Sequence, residues 1–141
     1  GYLTAMALAR SSDLFAAGVD YAGVHDWNLE FAALVPGWDV AKDQHARAIA
    51  FASSPMADVD RWRSPVLLVQ GDDDRNVVFS QTVQLAEDLK ARHVHVETMV
   101  FPDETHDLLL YGSWVALGRA TAEFFDRQLK TNQTAGATAG P

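Results

Sequence analysis

An uninterrupted apolar run, Pro65 to Gln70 followed by Gly71, constrains the fold of this chain more than any other feature. Such a run, without polar alternation, is typical of a parallel strand covered by helices on both faces. The next segment, Ser80 to Arg92, has apolar residues at helical spacing, and Val94 to Val100 then alternates as a half-exposed strand does. The order strand, helix, strand predicts a parallel sheet with right-handed crossovers.

Other segments extend this pattern. Residues 2–11 and 40–51 have helical spacing, residues 15–21 are typical of a short buried strand, and Trp114 to Phe125 marks a closing helix. We therefore predict an α/β fold in which helices cover both faces of a mostly parallel sheet, giving a three-layer sandwich. The chain has 141 residues, of which 48% are hydrophobic, and this suits one domain. Residues 131–141 are small and polar, which predicts a disordered tail after a domain of residues 1–130.

Composition excludes several classes of function. The formal charge of -8 leaves no broad basic surface for nucleic acid, and no apolar stretch is long enough to span a membrane. The chain has no cysteine, so its compartment, cytoplasmic or periplasmic, stays open. Gly1 and Tyr2 open directly into helical spacing without an initiator methionine or a preceding strand. We therefore expect the chain to be the later part of a larger domain that lacks its N-terminal strands here.

Reactive side chains follow two neighbouring strands of the predicted sheet. The loop of residues 71–77 contains Asp72, Asp73 and Asp74, and the loop of residues 103–107 contains His106. Because the carboxyl ends of parallel strands form one crevice, a carboxylate and the imidazole can meet there. An acid that orients an imidazole supports general-base catalysis, and in α/β-hydrolases the nucleophilic serine comes before both in the chain.

The chain also resembles a known family. Its matching segments occur in the family's order over most of the chain, and they are Gly1-Tyr2-Leu3-Thr4, Gly18 to Trp27, Ser54-Pro55, Pro65 to Gly71, Asp74 to Val77 and Asp103 to His106. These segments resemble the catalytic domain of the prolyl oligopeptidase family of serine peptidases, which has the α/β-hydrolase fold. One departure is Asp107, since family members often have glycine after the histidine.

The resemblance implies specific roles. It makes Asp74 the catalytic acid and His106 the base of a Ser-Asp-His triad. Gly1-Tyr2 resembles the end of the family's Gly-x-Ser-x-Gly-Gly-Tyr motif, so the serine would lie three residues before Gly1, together with the oxyanion donors. Positions near the substrate pocket of the family match Tyr2, Val24, Trp27, Asn76 and Val77.

These roles imply hydrolysis of peptide bonds in short peptides, with a propeller domain upstream that screens substrates by size. The chain alone is then expected to be inactive because it lacks the nucleophile. Two alternatives stay open: a carboxyl-ester hydrolase of the esterase or dienelactone-hydrolase type on the same fold, and a non-catalytic α/β domain. An exposed sheet edge also predicts self-association of such a chain.

Metal sites are weakly indicated. The spacing Asp72, Asp74, Asn76 starts like a calcium loop, but Val77 stands where glycine is required. His93, His95 and Glu97 alternate on one strand and could hold a metal, although an exposed strand face explains the same pattern. We predict neither a metal nor a cofactor, and we expect His25 and His45 in surface segments.

Overall fold

The computed structural model of the protein describes residues 1–39 and 42–137. Its elements follow one another in this order: α1 Tyr2–Arg10, β1 Gly18–Tyr21, α2 Trp27–Leu34, α3 Gln44–Ala52, a 3-10 helix Pro55–Arg61, β2 Val66–Gly71, α4 Ser80–Ala91, β3 Val96–Phe101 and α5 Tyr111–Ala137.

The three strands form one parallel sheet in the order β1-β2-β3. Gly18 pairs with Val66 at the start of the sheet, and Gly71 pairs with Phe101 at its carboxyl end. All six residues of β2 are buried, which confirms that the apolar run is the central strand of this sheet. Because β2 and β3 are neighbours, the loops that follow them leave the sheet at the same edge.

Helices cover both faces of the sheet. Val66 and Leu68 of β2 pack on one face against α1, α4 and the 3-10 helix, where Trp62 is fully buried. Leu67 and Val69 pack on the other face with residues of α5, including Phe124. The alternation of β2 side chains between two apolar cores explains why its sequence shows no polar alternation.

Two elements were not predicted. The helix α2 begins after Asp26, whose side chain accepts a hydrogen bond from the Asn28 backbone N–H at 2.8 Å. The 3-10 helix begins at Pro55, a residue that suits the first turn of a helix because it needs no N–H partner there. α3 begins later than predicted, after the capping residue Asp43, and residues 40 and 41 of the predicted helix lie outside the described residues.

The last helix is longer than predicted. α5 continues through Ala137 and so overlaps the segment 131–141 for which the sequence predicts a disordered tail, while residues 138–141 lie outside the described residues. No proline or glycine interrupts the chain between Gly118 and Gly136, so the helical hydrogen bonds can continue. Across the part of the chain that the structure describes, no helix is both long and apolar enough to cross a bilayer.

Candidate active site

The loops after β2 and β3 bring Asp74 and His106 together. Oδ2 of Asp74 lies 2.9 Å from Nδ1 of His106. The Asp74 side chain has no solvent exposure, whereas the ring of His106 is 31% exposed. A buried acid therefore faces a ring that still reaches the surface, with one nitrogen bound to the carboxylate.

Four donors surround the Asp74 carboxylate. Oδ1 accepts hydrogen bonds from the backbone N–H groups of Asn76 and Val77, both at 2.9 Å. Oδ2 accepts from the Gln70 side-chain amide at 3.0 Å in addition to the His106 ring. Burial alone would raise the pKa of Asp74, but the hydrogen bonds from Val77, Gln70, His106 and Asn76 together lower it below its usual value. Asp74 is thus held as the carboxylate.

The other two aspartates of this loop bind elsewhere. Oδ1 of Asp72 accepts a hydrogen bond from the Asp103 backbone N–H at 2.7 Å, which ties the two loops together. Asp73 forms an exposed ion pair with Arg75 at 3.2 Å. Neither carboxylate makes a hydrogen bond to His106, so the structure separates three adjacent aspartates into three different environments.

Gly71 allows the two loops to approach closely. A Cβ at this position would lie 2.1 Å from the backbone oxygen of Glu104, so a side chain has no room there. The Asp73 backbone N–H then donates to that same Glu104 oxygen at 3.1 Å. The glycine at the end of β2 is therefore required by a backbone contact rather than by a turn.

Tyr21 and Glu104 hold the segment that contains His106. The Tyr21 hydroxyl, at the end of β1, donates a hydrogen bond to the backbone oxygen of His106. Burial, together with the negative charges of Asp107, Asp74 and Glu104, raises the pKa of Tyr21 to about 12, so its hydroxyl stays a donor.

The Glu104 carboxylate stands at the start of α5. It accepts hydrogen bonds from the backbone N–H of Leu109 at 2.5 Å, from that of Leu110 at 3.3 Å and from the Ser113 hydroxyl. The Ser113 hydrogen bond lowers the pKa of Glu104 most, burial opposes it, and the two N–H groups add to the lowering. The carboxylate thus fixes the two residues that precede α5 and the Ser113 side chain in the first turn of that helix.

The expected pocket residues form two pairs and one separate residue. Tyr2 and Trp27 pack edge to face with ring centroids 5.6 Å apart, and the Tyr2 hydroxyl donates to the Ser53 backbone oxygen at 2.7 Å. Asn76 and Val77 bind Asp74 through their backbone N–H groups, and the Val77 side chain is buried. Val24 is also buried, at the end of the turn that follows β1.

A buried polar network that the sequence patterns do not predict supports Asp74. Gln70 is fully buried, and its amide donates to Asp74 and to the Val77 backbone oxygen, while its oxygen accepts from the Thr82 hydroxyl at 2.7 Å. The available signal was a glutamine at the end of an otherwise apolar strand. A buried amide needs partners, and here the partners are the acid and the loop around it.

A second hydrogen-bond network that the sequence patterns do not predict surrounds the Gln81 side chain. Its oxygen accepts from the backbone N–H groups of His25 and Asp26, at 3.0 and 2.8 Å, and its amide donates to Glu30 at 3.2 Å. Burial raises the pKa of Glu30, a shift that the Gln81 hydrogen bond partly offsets and the charge of Asp74 reinforces.

The surface position expected for His25 is wrong. Its side chain is 1% exposed and lies 2.9 Å from Asp20, which is equally buried. The ring is enclosed because α4 packs over it and supplies Gln81. His45, in contrast, is exposed on α3. At the start of β3, His95 contacts Glu97 at 3.2 Å. The described residues contain no group of three possible metal ligands.

The arrangement suits proton transfer. The carboxylate of Asp74 can only accept, so Nδ1 of His106 carries the proton and Nε2 has the free lone pair. Within the described part of the chain no side chain or backbone group donates to Nε2. A hydroxyl placed against Nε2 could give up its proton to the ring, and Asp74 would stabilise the imidazolium that forms.

Known proteins resemble this chain in sequence. A model of the prolyl oligopeptidase family matches residues 1–132. Dipeptidyl-peptidase 5 of Porphyromonas gingivalis is 27% identical over 125 residues, which cover 82% of this chain and 18% of that protein. Dipeptidyl peptidase family member 6 of Caenorhabditis elegans is 30% identical over 118 residues, covering 75% of this chain and 16% of that protein. The chain thus spans less than a fifth of these curated relatives.

Solved structures share the fold. An acylaminoacyl peptidase in complex with Z-Gly-Gly-Phe-chloromethyl ketone superposes with a TM-score of 0.79 at 25% identity, over 92% of this chain and 22% of that one. The uncomplexed acylaminoacyl peptidase of Pyrococcus horikoshii gives a TM-score of 0.77 at 25% identity, with the same coverage. The sheet and its helices are therefore part of an α/β-hydrolase domain, which confirms the predicted fold class.

Proposed function

The chain belongs to the prolyl oligopeptidase family, and from this we propose that it supplies the acid and the base of a serine peptidase active site. His106 acts as the general base and Asp74 orients it. The observation that carries the proposal is the 2.9 Å contact between Oδ2 of Asp74 and Nδ1 of His106 at the carboxyl edge of a parallel sheet.

The proposed reaction is acyl transfer to water. A serine three positions before Gly1 attacks the peptide carbonyl while Nε2 of His106 takes its proton, and the protonated ring then gives that proton to the leaving amine. A water molecule then attacks the acyl-enzyme while Nε2 of His106 takes its proton. The ring returns that proton to the serine oxygen as the acyl group leaves as a carboxylic acid. The serine and the oxyanion donors belong to a preceding segment, so residues 1–141 alone are proposed to be inactive.

The sheet offers support for such a preceding segment. In the described residues β1 pairs with β2 on one side only, and its other edge has no strand partner. An open edge next to a buried strand is suited to a further strand of the same domain, and without one it favours self-association. We assign this edge to the rest of the catalytic domain.

The substrates proposed for the complete protein are short peptides, admitted past an upstream propeller domain. Tyr2, Val24, Trp27, Asn76 and Val77 are proposed to line the substrate pocket. The edge-to-face packing of Tyr2 on Trp27 supports an aromatic wall beside the start of α1, where the nucleophile would lie.

The test compares Asp74→Asn with Asp73→Asn in the full-length protein that carries this chain. Loss of the carboxylate at position 74 permits the wrong ring tautomer, so we expect kcat on a chromogenic dipeptide amide to fall by about 10³- to 10⁴-fold with little change in KM. The Asp73 side chain binds only the exposed Arg75, and its variant should stay within about twofold of wild type.

Equal effects of the two variants would show that the acid is misassigned. Hydrolysis of p-nitrophenyl esters without any hydrolysis of peptide amides would instead favour a carboxyl-ester hydrolase. Both measurements use the same preparation, so the acid assignment and the substrate class are tested separately.

A further inference from the structure

A second aspartate–histidine pair lies buried below the start of α1. Nε2 of His25 is 2.9 Å from Oδ2 of Asp20, and each side chain is only 1% exposed. On the other side of the ring, Nδ1 lies 3.0 Å from the backbone oxygen of Gln81. Both ring nitrogens of His25 are therefore occupied, which distinguishes it from His106.

The partners of His25 determine its protons. A backbone oxygen can only accept, so Nδ1 must carry a hydrogen that it donates to Gln81. The contact to Asp20 then holds one further proton, either on the ring beside a carboxylate or on a carboxylic acid beside a neutral ring. The pair is neutral overall in both cases. Removal of the ring would leave the Asp20 charge buried without a partner.

The second oxygen of Asp20 lies against the beginning of α1. A Cβ on Gly1 would be 2.1 Å from Oδ1 of Asp20, and a Cβ on Gly23 would be 2.4 Å from the same oxygen. Asp20 thus brings its second carboxylate oxygen from β1 against the backbone of Gly1.

We propose that Asp20 and His25 form a neutral, proton-sharing pair that positions the start of α1, and through it the nucleophile, against β1 and α4. This inference rests on the proposed function, in which the serine lies three residues before Gly1. Asp20 packs on the backbone of Gly1, and His25 fixes Asp20 to Gln81 of α4. The neutrality of the pair matters because a net negative charge behind the nucleophile would oppose the charge that develops on the substrate oxygen.

The pair is assigned as positioning residues, so its test needs a readout that simple loss of packing would not give. The experiment is a double-mutant cycle in the full-length protein, with His25→Ala, Asp20→Asn and the double variant. His25→Ala leaves a bare buried carboxylate and should reduce kcat by at least about tenfold, since displacement of reacting groups by about 1 Å costs up to about 100-fold. KM should change by less than about twofold because the pair does not touch substrate.

The double variant has no charge left to bury. Although it has lost more side-chain contacts than His25→Ala, it should recover most of the lost kcat. A double variant as slow as His25→Ala, or slower, would overturn the inference, because loss of packing alone gives that result. His45→Ala removes an exposed histidine of α3 and is the matched control, with expected kcat equal to wild type.

Asp20→Asn keeps the test decisive if His25→Ala does not fold. The asparagine amide can donate to Nε2 of a neutral ring, so this variant preserves a neutral pair of the same shape and should lose only about threefold in kcat. A loss of about tenfold or more for Asp20→Asn would contradict a neutral pair. Wild-type protein that neither cleaves peptides nor reacts with a fluorophosphonate would contradict the proposed function itself, whereas an active wild type with a fully active His25→Ala would contradict only this inference.

Discussion

Replacement of Gly71 by alanine is expected to separate the two loops that carry Asp74 and His106. The added Cβ would lie 2.1 Å from the backbone oxygen of Glu104 and 2.9 Å from that of Thr105. Ordinary van der Waals contact begins at 3.4 Å, so the histidine loop would have to move by about 1.3 Å. Both obstacles are backbone atoms, and a change of rotamer cannot relieve the overlap.

The size of the effect follows from that displacement. Overpacking of a buried position costs about 1–3 kcal/mol in the free energy of unfolding. A shift of about 1 Å between catalytic groups costs up to about 100-fold in rate. We therefore expect Gly71→Ala to unfold at lower urea concentration and to lose kcat by roughly 10- to 100-fold, measured on the full-length protein.

Gly118→Ala is the matched control. This glycine lies inside α5, and a Cβ there would meet nothing within 4 Å apart from the neighbouring backbone of its own helix. Alanine in a helix interior is more stable than glycine by about 0.5–1 kcal/mol, so this variant should unfold at slightly higher urea concentration. A Gly71→Ala variant as stable and as active as wild type would show that the two loops do not need this close approach, and so would an equal loss of stability in both variants.

Two further predictions concern residues that support the site. Burial raises the pKa of Glu30, so the folded protein favours the protonated side chain. The contribution of Glu30 to stability is therefore full below pH about 4.5 and is lost as pH rises through its folded pKa. Glu30→Gln should raise the melting temperature at pH 7 and change it little at pH 4. Equal shifts at both pH values would contradict this. Tyr21→Phe removes the hydrogen bond to the His106 backbone oxygen and should lower the free energy of unfolding in urea by about 1 kcal/mol. An unchanged free energy of unfolding would show that this hydrogen bond does not stabilise the His106 segment.

The sequence was sufficient for the features that arise from local patterns. The apolar run predicted β2 as a strand buried on both faces, and the helical spacing after it predicted α4. Neighbouring parallel strands end at one edge of a sheet, so the loops after β2 and β3 were expected to be neighbours. These inferences need only the periods of helices and strands and the direction of the chain.

The sequence was insufficient where contacts join distant segments. α2 has no clear polar face, since apolar residues surround Glu30, and its side chains therefore gave no helical pattern. Gln81 binds Asp26 and Glu30, which are more than 50 residues away in the chain. Such hydrogen bonds depend on where the fold brings the start of α4 beside the start of α2, and no spacing within either segment indicates them.

His25 and His106 show why composition and order alone could not separate two similar pairs. Both histidines follow a strand, and both bind an aspartate through one ring nitrogen at 2.9 Å. The second nitrogen decides what each can do: in His25 it donates to a backbone oxygen, whereas no described group binds it in His106. A general base needs a free lone pair that a substrate or nucleophile can reach, so only the ring that is 31% exposed meets the chemical requirement.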